Sequence, residues 1–418
     1  MDREELFDFI DKSVDLVVEL ETELTRRPAI SPDSGGEGEW EKCRFLEGWL
    51  QSRGITRLER YDAPDERARE GVRPNLIATI PGRSDERRLW IMSHLDVVPP
   101  GEASLWKSDP WQVIRRDDGP QGPVLIGRGV EDNQQGLCSS VLAALALLSR
   151  GMTPAHTVKL LFAADEENGS RYGIDWLLKH QGKTIPAIFR EDDLVLIPDG
   201  GDRRGETIEI AEKNLLWARF TTTGVQAHGS RPDQGINAHL AAADLAVRLH
   251  DGLSKRFSGR DPLFEPDYST FQPTKKEANV PNINTIPGED VFYMDMRVLP
   301  RYSIQEVREE IDRIKAGVEA RYGVTIGYTL PQAIQSKPTA ADSPLVGLLS
   351  RAVREVYAVE TRPVGIGGGT VGAYLRNAGI DAVVWSRMDE SAHQPNEYTV
   401  LANILGDAKV MALLMASG

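Results

Sequence analysis

Cysteine is nearly missing from this chain: among 418 residues only Cys43 and Cys138 occur. Two thiols far apart in sequence make no disulfide framework, which points to a reducing compartment. Cys138 sits in an apolar helical pattern, where a thiol belongs to the core rather than to a metal. Positive charge is also short, since 49 Lys and Arg stand against 63 Asp and Glu, a net charge of −14. That balance argues against nucleic acid or an anionic membrane as the main partner. No apolar run approaches the roughly 18 residues that a membrane span needs. The start, Met1-Asp2-Arg3-Glu4-Glu5, is acidic and lacks the apolar segment of a signal peptide, so the expected location is the cytoplasm. Internal repeats and low-complexity segments are absent. Histidine is scarce, with seven in the chain, so its placement carries information.

The length exceeds what one small core accommodates and predicts two domains. Apolar positions Leu6, Phe7, Ile10, Val14, Val17, Leu20 and Leu24 predict one amphipathic helix over residues 3–27, ending before Pro28. A second helix is expected from Glu39 to Ser52. Strands are expected at 75–80 and 89–92, the latter delivering Ser93-His94-Leu95-Asp96, and turn-rich chain at 99–123. Val124-Leu125-Ile126 leads to Val130-Glu131-Asp132, and an apolar helix covers 137–149. Val158-Lys159-Leu160-Leu161-Phe162 is a strand that ends in Ala163-Ala164-Asp165-Glu166-Glu167. A helix at 171–179 precedes the strand at 194–197 and Pro198-Asp199-Gly200-Gly201. Alternating strands and helices with polar residues at strand ends predict an α/β sheet with its site at the strands' carboxyl edge.

The texture changes at about residue 211. Strands at 215–223, 283–286, 291–297 and 323–329, with helices at 237–250 and 303–321, follow a β-α-β-β-α-β order. That is the ferredoxin-like pattern, read as an insert over 211–331. Residues 1–210 and 332–418 then form the catalytic domain. Its second part holds a helix at 343–357, a strand entering Gly367-Gly368-Gly369-Thr370, a strand at 382–385 and a helix at 399–416.

Two adjacent glutamates at the end of a buried strand repel each other and are costly unless a positive charge holds them. A bound metal ion would hold one and leave the other free as a base. The acids and imidazoles at predicted strand ends are His94, Asp132, Glu166, Glu167, Asp199 and His393. Singly, each has an ordinary explanation: a structural histidine, a helix N-cap, a turn residue. Together they supply two imidazoles, three carboxylates and one spare glutamate. Nitrogen and oxygen donors without sulfur suit Zn²⁺, Co²⁺ or Mn²⁺. Two such ions, about 3.5–4 Å apart, lower the pKa of a shared water towards 7. Glu166 can take that water's proton, and Asp96 can accept the other N–H of the His94 ring.

From Ser93 to Glu397 the sequence resembles the co-catalytic zinc aminoacylase and carboxypeptidase family. That family includes acetylornithine deacetylase, succinyl-diaminopimelate desuccinylase, carnosine-type dipeptidases and glutamate carboxypeptidase. The motifs that carry the resemblance are Ser93-His94-Leu95-Asp96-Val97-Val98-Pro99, Gly127-Arg128-Gly129 with Asp132, Asp165-Glu166-Glu167, Pro198-Asp199, and His393 with Asn396-Glu397. It implies a zinc-exopeptidase-like catalytic domain with a mixed sheet flanked by helices, and an inserted ferredoxin-like dimerisation or lid domain. It implies two divalent ions, zinc first, with cobalt or manganese as alternatives. His94 and Asp199 would bind one ion, Glu167 and His393 the other, and Asp132 would bridge them. Glu166 would be the general base, and the Asp132–Asn133 peptide would be cis.

The insert adds further implied roles. The segment Gly224–Pro232 resembles one whose histidine, here His228, reaches a neighbouring subunit's site and stabilises the oxyanion, which implies a homodimer. Asn284, Arg297, Gly368, Gly369 and Thr370 would bind substrate, with Arg297 forking onto a carboxylate; an ion pair with Asp295 is its structural alternative. The expected activity is hydrolysis of an amide bond in a small N-acyl amino acid or dipeptide, by a hydroxide between the ions. Gln134-Gln135 stand where the family has Lys-Gly, and Val371 where it often has an acid. Those departures motivate a second reading, a non-catalytic metal-binding or assembly protein that keeps the fold. A third reading takes Gly367-x-Gly369-x-x-Gly372 with Asp389 as a dinucleotide fingerprint, but too little chain follows to complete that domain.

Overall fold

The computed structural model describes residues 3–119 and 121–417. The chain divides into two compact units. One comprises the residues up to Ile210, Thr339–Pro363 and those from Tyr374 onward; the other comprises Ala211–Pro338 and Val364–Ala373.

The first unit is built on an eight-stranded mixed sheet. Its four central strands, in spatial order His156–Ala163, Ser84–His94, Leu194–Asp202 and Asp381–Arg387, run parallel. Parallel strands are covered on both faces and therefore read as continuous apolar runs. Leu160-Leu161-Phe162, Val195-Leu196-Ile197 and Val383-Val384-Trp385 are accordingly buried. Val72–Ile80 and Leu58–Pro64 extend the sheet antiparallel on one side, and Thr207–Glu212 and Arg362–Ile366 complete the other. Two helices, Gln134–Ser149 and Leu401–Ala416, pack together and are buried nearly all round, as helices without a polar face must be. Both cysteines are free and buried.

Several elements differ from expectation. The first helix is two, Arg3–Asp11 and Val14–Thr25. At the break the Ser13 hydroxyl donates to the Phe9 carbonyl at 2.7 Å, the competition with the backbone ladder that serine side chains offer. The strand Leu58–Pro64 has no clear sequence signal, because Glu59, Arg60 and Asp62 give it the charged look of a sheet edge. The helix expected from 137 begins at Gln134, since Gln134 and Gln135 are buried rather than solvated.

The second unit holds an antiparallel sheet in the order Thr270–Lys276, Glu289–Val298, Asn214–Thr223, Thr325–Ile334. Helices Ala238–Arg256 and Ile304–Tyr322 cover one face, with Phe220, Phe271, Met296, Leu249 and Ile311 in the core between them. The second strand of this ferredoxin-like order is Thr270–Lys276, not residues 283–286. Pro273, a bulge between Pro273 and Lys275, and two lysines mark it as an edge strand. Of 283–286, only Thr285–Ile286 forms a strand, in a two-residue ribbon with Ala227–His228. The Gly-rich turn belongs to this unit rather than to the first: Lys213 N donates to Ile366 O, Arg297 to Gly367 O, and the Thr370 hydroxyl to Glu212. Among the described residues no helix is long and apolar enough to cross a membrane.

Asp407 gives the first unit a pH signature. Its buried carboxylate accepts from Ser386 Oγ at 2.6 Å, Tyr357 Oη at 2.7 Å, Arg387 N at 3.1 Å and Gln135 Nε2 at 3.3 Å. Burial pushes its pKa up to about 6, against the pull of those donors. A carboxyl whose folded pKa is raised contributes most stability while protonated and loses that contribution as pH rises through the folded value. Stability should therefore fall by an amount on the order of 2 kcal/mol between about pH 4 and pH 7 in the wild type relative to Asp407→Asn. Chemical denaturation at pH 4, 5, 6 and 7 checks this; parallel profiles for the two proteins would contradict it.

Candidate metal centre

The four parallel strands deliver their donors at one edge. Ser84–His94 ends on His94, and Leu194–Asp202 carries Asp199. His156–Ala163 leads into a 3-10 turn over Glu166–Asn168, and Asp381–Arg387 leads into the loop bearing His393. Asp132 stands just before the helix that begins at Gln134, behind a cis peptide to Asn133. Gly136 lets that helix approach the strand end, because a Cβ there would lie 2.4 Å from Pro198 O.

These side chains form two donor groups that share Asp132: His94 with Asp132 and Asp199, and Glu167 with Asp132 and His393. His94 Nε2 lies 2.9 Å from Asp132 Oδ1 and 3.6 Å from Asp199 Oδ1. His393 Nε2 lies 2.9 Å from Asp132 Oδ2 and 3.0 Å from Glu167 Oε2. The two oxygens of Asp132 thus face one imidazole each. Glu167 Oε1 is buried with no hydrogen-bond partner among the described residues. Imidazole and carboxylate donors, an orphaned buried oxygen and a shared carboxylate fit divalent cations of the zinc class.

The electrostatics have the same sense. Burial and the carboxylates of Asp199, Glu167 and Asp132 push Glu166 well above the usual carboxyl range. Burial likewise raises Glu167 and Asp199. Hydrogen bonds to Asp132 and Glu167 raise His393 to about 10. His94 is also raised, by Asp199 and Asp132 acting against its burial. The cluster gathers more negative charge than its two imidazoles neutralise, a deficit that bound cations would fill. Glu166 belongs to neither donor group.

Buried side chains hold the donors. The Asp96 carboxylate accepts the backbone N–H of Glu166 and of Glu167, both at 3.0 Å. The closest oxygen to His94 Nδ1 is the Asp96 carbonyl at 3.0 Å, while its carboxylate stands at 3.5 Å. Asp96 therefore orients the glutamate turn as much as the imidazole. Behind it, Arg73 donates to Glu39 and lies 3.2 Å from Asp165, and Glu39 accepts the Asp165 N–H at 3.2 Å. Arg73, Glu39 and Asp165 are all buried. Asn133 Nδ2 donates to Asp199 Oδ1 and to Pro198 O, each at 2.7 Å. Glu397 accepts from Arg128 and from the N–H groups of Gly129, Glu131 and Asp132. The sequence gives no sign that Asn133 holds Asp199, nor of the pairing of Arg73 with Glu39.

The unusual glutamines are packing residues. Gln134 bonds Thr25 at 3.2 Å, and Gln135 bonds Ser386, Arg387 O and Thr399 at 2.9, 2.8 and 2.6 Å. Val371 is buried. Asp389 accepts from Gln121 and Tyr398, both through Oδ2.

The remaining expected site residues lie in the second unit. His228 is exposed, with Nδ1 2.8 Å from Ser230 Oγ. Asn284 O accepts the Gly229 N–H at 2.7 Å, placing these two segments side by side. Arg297 closes its fork on Asp295 at 2.8 and 3.0 Å and donates to Gly367 O at 2.9 Å. A Cβ at Gly367 or Gly369 would meet nothing within 4 Å, and at Gly368 only Ile366 at 3.7 Å.

Comparison with known proteins agrees with this geometry. Residues 90–417 match the family model described as peptidase family M20/M25/M40. An uncharacterized metallohydrolase of Methanococcus maripaludis is 36% identical, over 95% of this chain and 98% of that one. Succinyl-diaminopimelate desuccinylase of Cereibacter sphaeroides is 29% identical over 93% and 94%. The crystal structure of human carnosine dipeptidase 1 superposes with a TM-score of 0.70 over 99% of each chain at 15% identity, a likeness of fold. The chain belongs to the peptidase family M20/M25/M40, whose matched relatives include metallohydrolases.

Proposed function

We propose that this protein hydrolyses the amide bond of a small N-acyl amino acid or dipeptide that carries a free carboxylate. The observation that carries the reading is the pair of donor groups sharing Asp132, with the Glu166 carboxyl beside them and outside both. His94 and Asp199 would hold one divalent ion, Glu167 and His393 the other, and Asp132 both. When bound, such ions polarise a carbonyl and lower the pKa of water. Glu166 takes the proton of the attacking water and passes it to the leaving nitrogen. Cations in the donor groups would offset the negative field that raises its pKa, so Glu166 can start as a carboxylate near neutrality. Asp96 keeps Glu166 and Glu167 in register by holding both backbone N–H groups.

Segment resemblance supports further roles. His228 of a partner copy would stabilise the oxyanion, with the second unit as the dimerisation domain. Asn284, Arg297 and the turn at Gly368, Gly369 and Thr370 would recognise the substrate carboxylate and backbone. For Arg297 this requires N–H groups other than those given to Asp295. The openness around Gly367 and Gly369 supports the turn's part, because nothing in the chain itself demands glycine there. The desuccinylase relatives favour an N-acyl amino acid. Amine release from pooled N-acyl amino acids and dipeptides tests this. Release confined to substrates with a free carboxylate is expected, and splitting the pool names the acyl group. Equal release from the corresponding carboxamides would contradict the proposed specificity.

A further inference from the structure

We propose that Glu131 is the positioning residue for His393: its buried carboxylate fixes the backbone of the loop carrying that imidazole. The donor group of Asp132, Glu167 and His393 then depends on Glu131, while that of His94, Asp132 and Asp199 does not. The inference rests on the metal-binding reading above.

The loop after Asp381–Arg387 is unusual in its backbone. Glu390, His393 and Asn396 all have positive φ, at 61°, 65° and 62°. L-residues other than glycine avoid that region, and such conformations persist where surrounding structure imposes them. Glu131 imposes the first. Its Oε1 accepts the Asp389 N–H at 2.7 Å and its Oε2 accepts the Ser391 N–H. These N–H groups flank Glu390, so one carboxylate bridges the turn between them. Glu131 is buried, whereas Glu390 is exposed.

The imidazole needs this support more than the other donors. The His393 side chain is 54% exposed, against 2% for His94. Little packing holds it, so the backbone must set its place. Glu131 also adjoins Asp132 covalently, which indexes the His393 loop to the shared donor. Glu397 braces in the opposite direction, from the far end of the loop to the N–H groups of Glu131 and Asp132. Side chains that orient metal ligands from behind change affinity by about 10–100-fold when replaced.

The test is calorimetric titration of full-length, metal-stripped protein with Zn²⁺. Wild type should bind two equivalents. Glu131→Gln keeps the shape but sets an amide N–H₂ against a backbone N–H. It should weaken one equivalent by about 10–100-fold and leave the other as in wild type. Glu390→Val, an exposed change that keeps Glu131, should weaken the same equivalent, because β-branched residues resist positive φ. Glu390→Gly added to Glu131→Gln should restore part of the lost affinity. A purely structural role would lower thermal stability without separating the two equivalents or responding to glycine. Unchanged binding in Glu131→Gln or in Glu390→Val, or equal weakening of both equivalents, would overturn the inference. If Glu131→Gln does not fold, Glu390→Val decides alone. Wild-type protein that binds fewer than two equivalents would instead overturn the metal reading itself.

Discussion

Glu166→Gln should lower turnover by roughly 10²–10⁴-fold while leaving metal uptake intact. The substitution keeps size and shape and replaces an ionisable, proton-accepting carboxylate with a neutral amide. Glu166 lies outside both donor groups, and its backbone N–H, not its carboxyl, is what Asp96 holds. Glu167 and Asp199, whose carboxylates help to raise the pKa of Glu166, keep their own places. The loss should therefore appear in kcat, with two equivalents of metal still bound. Steady-state kinetics on a verified substrate, paired with metal analysis of the same sample, provides the check. Turnover within a few-fold of wild type would remove Glu166 from the proton-transfer role.

Asp132→Asn should have the larger effect on the site itself. Asp132 is the one carboxylate common to both donor groups, and each of its oxygens faces a different imidazole at 2.9 Å. Hydrogen bonds from His393 and His94 outweigh its burial and hold its carboxyl well below the usual range. An amide offers one oxygen instead of two and no charge. Both equivalents should weaken by more than about 100-fold, beyond what loss of an outer partner costs, and activity should fall to background. The substitution also takes a carboxylate partner from the buried His94 imidazole, which costs stability by up to about 3–5 kcal/mol. Metal titration and denaturation of the variant read both consequences. A variant that still binds two equivalents at wild-type affinity would mean that Asp132 is not shared.

The sequence made the frame of this site legible for a physical reason. Parallel strands covered on both faces must be apolar throughout, so Val158–Phe162 and Leu194–Ile197 stand out, and polar residues at their ends stand out more. Their carboxyl ends do converge in the structure. Edge strands gave no such signal. Thr270–Lys276 contains a proline and two lysines, and its pairing with Glu289–Val298 is visible only in three dimensions. The supporting shell was hidden for the same reason. Glu131 meets Asp389 and Ser391 across some 260 residues of chain. Arg73 and Glu39 carry no signal of their own and Asp165 stands out only within the Asp165-Glu166-Glu167 motif, until the fold buries the three together. Gln134 and Gln135, departures that bear on substrate choice or on local packing in the sequence, pack against Thr25, Ser386 and Thr399.

The most direct test of the account is the metal dependence of amide hydrolysis. Metal-stripped protein would be assayed for amine release from N-acyl amino acids while Zn²⁺ or Co²⁺ is added in measured equivalents. No release is expected without metal, and recovery should be complete at two equivalents per chain. Full activity in the stripped protein, or none in protein shown to hold two ions across the whole substrate panel, would contradict it.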